Sequence, residues 1–419
     1  MTQVKLSFQD TFLLAFERED LPFNSFFYFE SETAFDLKKI RQTFIKQVEL
    51  EPQLNLICSY ETGKCTYRKF SNSEIANAIT TLMTDKHEET FLASHFDETS
   101  PPVKLGLMNK NGKHLLIFSF HHPLFDGHAQ MNYLQDFFTI YRGEDYTPRS
   151  LSDVVHFRSY FLKTSPLWYL KQLFGLFKRE KKEPILISRF FDHETTSRVM
   201  SYSLLEYDKK SIDQSVRKTK LSPTTFFSFC ALRAFDRIQK ERGDSQNPVV
   251  IYIPKSMRFE MKKMRAFQNL VGFIWMKFKR EKITNEQALE HFRDFYKYRS
   301  GGDEIRKVLF FAGLITKFTS YQKLRFLLEK KEKKVHDCSI LISSGRTPKE
   351  VVFPDEFKNA KFYARGTMYR SPGIGILVTS NENRDFVCVE YLKGAFKKES
   401  IERFCQILDE EIKSHRSDS

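Results

Sequence analysis

Lys113-His114-Leu115-Leu116-Ile117-Phe118-Ser119-Phe120-His121-His122-Pro123-Leu124-Phe125-Asp126-Gly127-His128-Ala129-Gln130 is the stretch from which the rest of the chain is read. Residues 115 to 120 are apolar apart from Ser119 and are closed by Pro123, the pattern of a strand buried on both faces. Side chains alternate along a strand, so His122 shares a face with Leu116, Phe118 and Phe120, and His121 shares the other with Leu115, Ile117 and Ser119. The two histidines therefore cannot do the same work. Beyond the turn, Met131, Leu134, Phe138 and Tyr141 recur at helical spacing up to Arg142-Gly143, which predicts a helix ending there. His122 and Asp126 then lie beside a helix N-terminus. An imidazole titrates near neutrality, which makes His122 a candidate general base. A buried Asp126 needs a cationic partner and reads as the organiser of the turn rather than a proton carrier.

The spacing His-His-x-x-x-Asp-Gly, here His121, His122, Asp126 and Gly127, resembles the signature of the chloramphenicol acetyltransferase-like and condensation-domain acyltransferase superfamily. In style the chain is similar to stand-alone polyketide-associated or alcohol acyltransferases. It lacks the Asp-Phe-Gly-Trp-Gly loop of the plant alcohol-acyltransferase branch. The resemblance implies an α/β fold of two similar halves, each a mixed sheet with flanking helices, meeting at a V-shaped cleft with a through-tunnel. His122 would lie midway along that tunnel.

Weaker matches follow in chain order. Leu6 to Leu14 looks like the family's entry segment, with Ser7 capping a short helix, and Glu51-Pro52-Gln53-Leu54 follows an amphipathic helix carrying Leu37, Ile40, Phe44 and Val48. Phe96-Asp97 and Pro101-Pro102-Val103 precede the histidine strand, and Asn109-Lys110-Asn111-Gly112 predicts a hairpin pairing 103–108 with 114–120. Val249 to Pro254 reads as a buried strand running into Lys255-Ser256-Met257-Arg258. The resemblance makes Arg258 the partner of Asp126, since a guanidinium chelates a carboxylate in a fixed plane, with Arg265 as the fallback. Asn269 to Phe273 is similar to a segment near the tunnel. Cys338 to Gly345 is similar to a strand ending at the site, where Ser343 and Ser344 are candidate oxyanion contacts, against the plainer reading of a strand-end turn. Gly127 is expected because the chain must turn tightly into the helix, where a side chain would crowd the site. His121 is expected to be structural.

At 419 residues the chain divides into a half at 1–155, a basic aromatic linker at 156–190 and a second half at 191–419. The net charge of +14 points to anionic partners: coenzyme A phosphates, an acidic carrier protein or an anionic membrane surface. No nucleic-acid-binding motif is present, and no nucleic acid is expected. Ser165-Pro166 starts a helix carrying Leu167, Trp168, Leu170, Leu173, Phe174 and Phe177, followed by Lys178, Arg179, Lys181 and Lys182. It reads either as a helix lying on an anionic membrane or as a linker packed on the protein. The six scattered cysteines are expected to be reduced core residues of a cytoplasmic protein, at most peripheral on the inner membrane surface, with no metal site.

The resemblance implies an acyltransferase that moves an acyl group from acyl-CoA or an acyl-carrier protein to a hydroxyl or amine, with His122 as base and no bound cofactor. Two alternatives stay open. One is a condensation-type, amide-forming enzyme on carrier-bound substrates; the other is a non-catalytic scaffold or membrane-surface binding protein on the same fold.

Overall fold

Fourteen strands are found among the residues the computed structural model describes: 2–110, 112–150, 165–177, 190, 192–193, 199–244, 246–262, 265–284, 287–334, 338–366 and 373–415. They are β1 (Thr2–Val4), β2 (Asn24–Ser31), β3 (Leu56–Ser59), β4 (Lys64–Tyr67), β5 (Ile79–Leu82), β6 (Val103–Lys110), β7 (Lys113–His121), β8 (Met200–Asp208), β9 (Val249–Ser256), β10 (Val271–Phe278), β11 (Ile340–Ser344), β12 (Lys361–Gly366), β13 (Ile374–Ser380) and β14 (Arg384–Leu392). The linker at 156–190 lies outside the described residues except for 165–177 and 190.

The histidine strand β7 is the middle of a mixed five-stranded sheet ordered β12-β2-β7-β6-β5. Its pairing with β6 runs from Val103 opposite Phe120 to Lys110 opposite Lys113, the hairpin that Asn109 to Gly112 predicts. β5 runs parallel to β6 and the other pairs are antiparallel. Helix Gly127–Arg142 packs on this sheet and stops at Gly143, whose φ of 75° is the left-handed conformation that glycine adopts without strain. Helix Leu37–Leu50 presents Ile40, Phe44 and Val48 to the same core.

The second half is a mixed six-stranded sheet, β10-β9-β11-β13-β14-β8, in which β11 lies parallel to both neighbours. Helices Pro223–Glu241 and Lys398–Lys413 cover one face, the first capped by Ser222 with Pro223 behind it. Its other face has two characters. Tyr202, Leu204 and Leu377, from β8 and β13, pack on the core of the first half, and Phe386 of β14 is part of that core. Tyr252, Phe273, Trp275, Leu341 and Ser343, on β9, β10 and β11, stay half-buried. The face is thus closed at one side and open at the other.

A division into contiguous halves does not foresee β12. This strand follows nearly all of the second half in sequence, yet it pairs with β2 at the edge of the first sheet, Phe362 opposite Phe29. Ring stacking holds it there: the Phe29 and Phe362 centroids lie 4.7 Å apart, and Phe353 and Phe357 fit edge-on against Phe29. Offset and edge-on rings each add about 1 kcal/mol beyond the area they bury.

The expectation of six reduced cysteines is corrected. Cys58 and Cys65 sit opposite each other on the antiparallel β3-β4 pair, with Cα atoms 4.1 Å apart, and are joined in a disulfide. Their spacing in sequence conceals a direct cross-strand pair, which is what brings the sulfurs together. Cys230, Cys388 and Cys405 are free and buried, and Cys338 is buried too.

Candidate active site

Strand β7 ends at His121, and residues 122–126 turn at once. The Leu124 and Phe125 amides both donate to the His121 carbonyl, and Asp126 becomes the N-cap of helix Gly127–Arg142 by accepting from the Ala129 amide at 2.8 Å. This turn separates the two histidines as strand alternation requires.

The His122 ring tilts against Phe23, centroids 4.8 Å apart, and its Nδ1 lies 2.7 Å from the Phe125 carbonyl. A carbonyl only accepts, so Nδ1 carries the proton and Nε2 keeps its lone pair. Nε2 has no hydrogen-bond partner among the described residues. Burial holds the ring's pKa below the ordinary histidine value, although the Phe125 carbonyl and the Asp126 charge oppose it. The result is an oriented imidazole that is neutral at pH 7.

Asp126 is chelated from the other half of the molecule. Arg258 approaches both carboxylate oxygens, Nη2 at 2.9 Å and Nη1 at 3.1 Å, and also donates to the Ala266 and Gln268 carbonyls. Neither residue is solvent-exposed. The Leu270 amide donates to the same carboxylate at 2.8 Å, and the Asn269 side-chain amide donates to the His122 carbonyl at 3.0 Å. Residues 258–271 therefore hold 122–126 by charge and by backbone together. Arg265, the fallback, goes elsewhere: it meets Asp136 beside the buried Arg149.

His121 turns away from this group. Its Nε2 donates at 2.7 Å to Glu17, whose other oxygen accepts from His95. The second His95 nitrogen donates to the Glu19 carbonyl, so His95 donates from both sides and is held as a cation, with its pKa raised first by the bond to Glu17. Burial alone would raise the Glu17 carboxyl; His121 and His95 overcome it and hold the group at about 2, against an ordinary 4.5. A depressed acid stabilises the fold above its unfolded pKa and loses that contribution as pH falls through the folded value. We expect about 3 kcal/mol of unfolding free energy to disappear on acidification across the interval from 4.5 down to 2. Denaturant unfolding measured across this range should show the loss, and Glu17→Gln should flatten it.

The turn itself makes no conformational demand for glycine at Gly127. The residue is solvent-exposed, its φ is not positive, and a Cβ built there meets nothing within 4 Å. The side chain is missing beside open space rather than a crowded wall. Gly127→Ala is therefore expected to leave stability within about 0.5 kcal/mol of the wild type. Any effect should appear as a raised KM, which steady-state assays at several substrate concentrations would read. Gly272, by contrast, is required by packing: a Cβ there would lie 2.2 Å from Ile305 of helix Gly302–Phe318.

Of the two serines, Ser343 lies in register with Leu377 on the half-buried sheet face. Ser344 pairs with Val378 on the opposite face of the strand, and its buried hydroxyl has no hydrogen-bond partner among the described residues. The sequence reading missed Glu17, His95, Gln9 and the donor role of Asn269. Gln9 binds the Val271 carbonyl at 2.5 Å, and the Asp10 carboxyl beside it is pushed up to about 7 by burial. Ser7-x-x-Asp10 is a capping box legible in sequence, but its reach to residues 268–271 is not.

No family model matches this sequence, and no curated protein does. Solved structures do. An epimerization domain from the third module of tyrocidine synthetase B is 13% identical with a TM-score of 0.64, covering 99% of this chain and 97% of that one. A trichothecene 15-O-acetyltransferase from Fusarium sporotrichioides is 9% identical at 0.66, covering 99% and 94%. The first condensation domain of the calcium-dependent antibiotic synthetase is 12% identical at 0.65, covering 100% and 98%. The chain thus has the two-halved chloramphenicol acetyltransferase-like fold of condensation domains over its whole length.

Proposed function

We propose that this chain is an acyltransferase, moving an acyl group from a phosphopantetheine thioester to a hydroxyl or amine acceptor. One observation carries the reading: His122 is neutral, fixed through Nδ1, and presents Nε2 unprotonated. Such an imidazole takes the proton of an O–H or N–H as its heavy atom bonds to the thioester carbonyl carbon. The tetrahedral oxyanion then collapses, the C–S bond breaks, and protonated His122 returns the proton to the leaving thiolate. Ser343, on the half-buried sheet face, is the side chain we assign to the oxyanion.

Asp126 and Arg258 position the base without exchanging protons, and His121 with Glu17 anchors the end of β7. The net charge of +14 suits either donor, coenzyme A with its phosphates or an acidic carrier protein. The same fold serves an epimerization domain, so the reaction rests on the site chemistry and not on the fold.

The test is thiol release from acyl-CoA and acyl-carrier donors of varied chain length, with pooled alcohols and amines, followed by mass analysis of the product. Acceptor-dependent release with an ester or amide product is the expected result. Silence with every donor sinks the proposal and favours a binding protein.

A further inference from the structure

Three adjoining helices carry large apolar side chains on their outer sides. Helix Pro166–Phe177 packs Trp168 and Tyr169 onto Phe310 of helix Gly302–Phe318, ring centroids 6.0 and 4.9 Å apart, and leaves Leu167 and Leu170 outside. Helix Gly302–Phe318 buries Ile305 and Leu309 in the second core and exposes Ile315 and Phe318. Helix Tyr321–Lys334 follows after two residues. It seats Leu324 and Leu328 against Phe12, Ala15 and Phe16, and turns Phe326 and Leu327 outward.

Phe318 is 76% exposed, Leu167 75% and Phe326 62%, which no fold-stabilising role explains. Scattered single apolar residues are ordinary on a protein surface, but six on three neighbouring helices are a patch. Lysines outnumber acids around them, although Glu329 lies beside Phe326 on helix Tyr321–Lys334. Lys171, Lys317, Lys323 and Lys330 are exposed on the same helices. Helix Pro166–Phe177 has no acidic residue, and on helix Gly302–Phe318 the acids are confined to Asp303 and Glu304, which are paired with Arg306 and Arg299.

We propose that these three helices dock the protein on an anionic bilayer surface, apolar side chains in the acyl region and lysines among the headgroups. Apolar rings flanked by flexible ammonium groups fit that layered environment, which a protein partner would have to imitate. Among the described residues no helix is long and apolar enough to cross a membrane, so the contact is peripheral. Its position bears on the site. Helix Gly302–Phe318, outward at Phe318, presses Ile305 against Gly272 of β10, a strand that begins two residues after Asn269, the donor to His122. An acceptor partitioned into the bilayer would be one helix diameter, about 10 Å, from the strand that begins beside the base.

The experiment is flotation of the full chain with vesicles of phosphatidylcholine alone and of phosphatidylcholine with phosphatidylglycerol, at low and high salt, beside sedimentation velocity of the free protein. We expect capture by the anionic vesicles, weakened by salt. F318D/F326D and K317Q/K323Q/K330Q should each reduce it about tenfold or more. All these positions are exposed, so thermal unfolding of both variants should match the wild type, and thiol release from soluble substrates should not change. Absence of anionic capture, or capture that both variants retain, overturns the proposal. So does a wild-type dimer that F318D/F326D converts to monomer, because a second copy would then cover the face.

Discussion

Replacing His122 by alanine is expected to lower acceptor-dependent thiol release by about 100- to 10,000-fold, the usual contribution of a positioned general base, while the protein stays folded. Both parts follow from the local contacts. The ring's partners are the Phe23 face and the Phe125 carbonyl, and that carbonyl also accepts from Gln130 Nε2 at 3.1 Å, so it is not orphaned by the substitution. The lost ring contact should cost about 1 kcal/mol. The pH profile supplies a signature that loss of structure does not imitate. Burial lowers the His122 pKa, so the catalytic neutral form persists below the range of an exposed histidine. Activity should be level at neutral pH and fall on the acid side, with an apparent pKa below 6.5. An unfolded alanine variant, or a profile falling only above neutrality, would count against His122 as the base.

The second large effect is expected at the ion pair. Truncating Arg258 to alanine leaves the Asp126 carboxylate buried with only two amide donors, from Ala129 and Leu270, and truncating Asp126 leaves a guanidinium facing carbonyls. Breaking a buried pair from one side costs about 3 to 5 kcal/mol, a large share of the stability of an ordinary domain. Asp126→Asn should cost less, because an amide oxygen still caps the helix. The double variant Asp126→Leu with Arg258→Met should recover part of the loss, since no unpaired charge remains. Denaturant midpoints of the three single variants and the double variant would test this ordering. Equal losses in all four would mean that packing, not charge, holds the halves at this point. Activity should fall with each variant, because the turn that aims His122 is tied down through Asp126.

Much of this site was legible locally. The apolar run ending in His121-His122, the proline and the following helical period together place the base beside a helix N-terminus, and strand alternation alone separates the two histidines. Arg258 was reachable because the family resemblance places its arginine where this buried strand ends. What escaped reading has no local period. Glu17 meets His121 across 104 residues, and Asn269 meets His122 across 147; nothing local to either residue names its partner. Cys58 and Cys65 were the nearer miss, since they flank the Tyr60-Glu61-Thr62-Gly63 turn of a short hairpin whose register alone decides their pairing. That the turn leaves room for a Cβ at Gly127 was not legible either, because chain direction can be inferred from a motif, but the empty space next to it cannot.

The placement of β12 also sets an order of events at the ribosome. Strands β2, β5, β6 and β7 emerge early, yet the edge of β2 stays bare until Lys361–Gly366 arrives to pair with it. At ordinary elongation rates the roughly 240 residues between β7 and β12 take about ten to fifty seconds to synthesise. Throughout that interval Phe26, Phe27, Tyr28 and Phe29 lie on an open strand edge, a template for pairing with other chains. The nascent first half is therefore the stage at which this edge is most open to pairing with other chains, and the last strand to join its sheet is the one that ends the exposure.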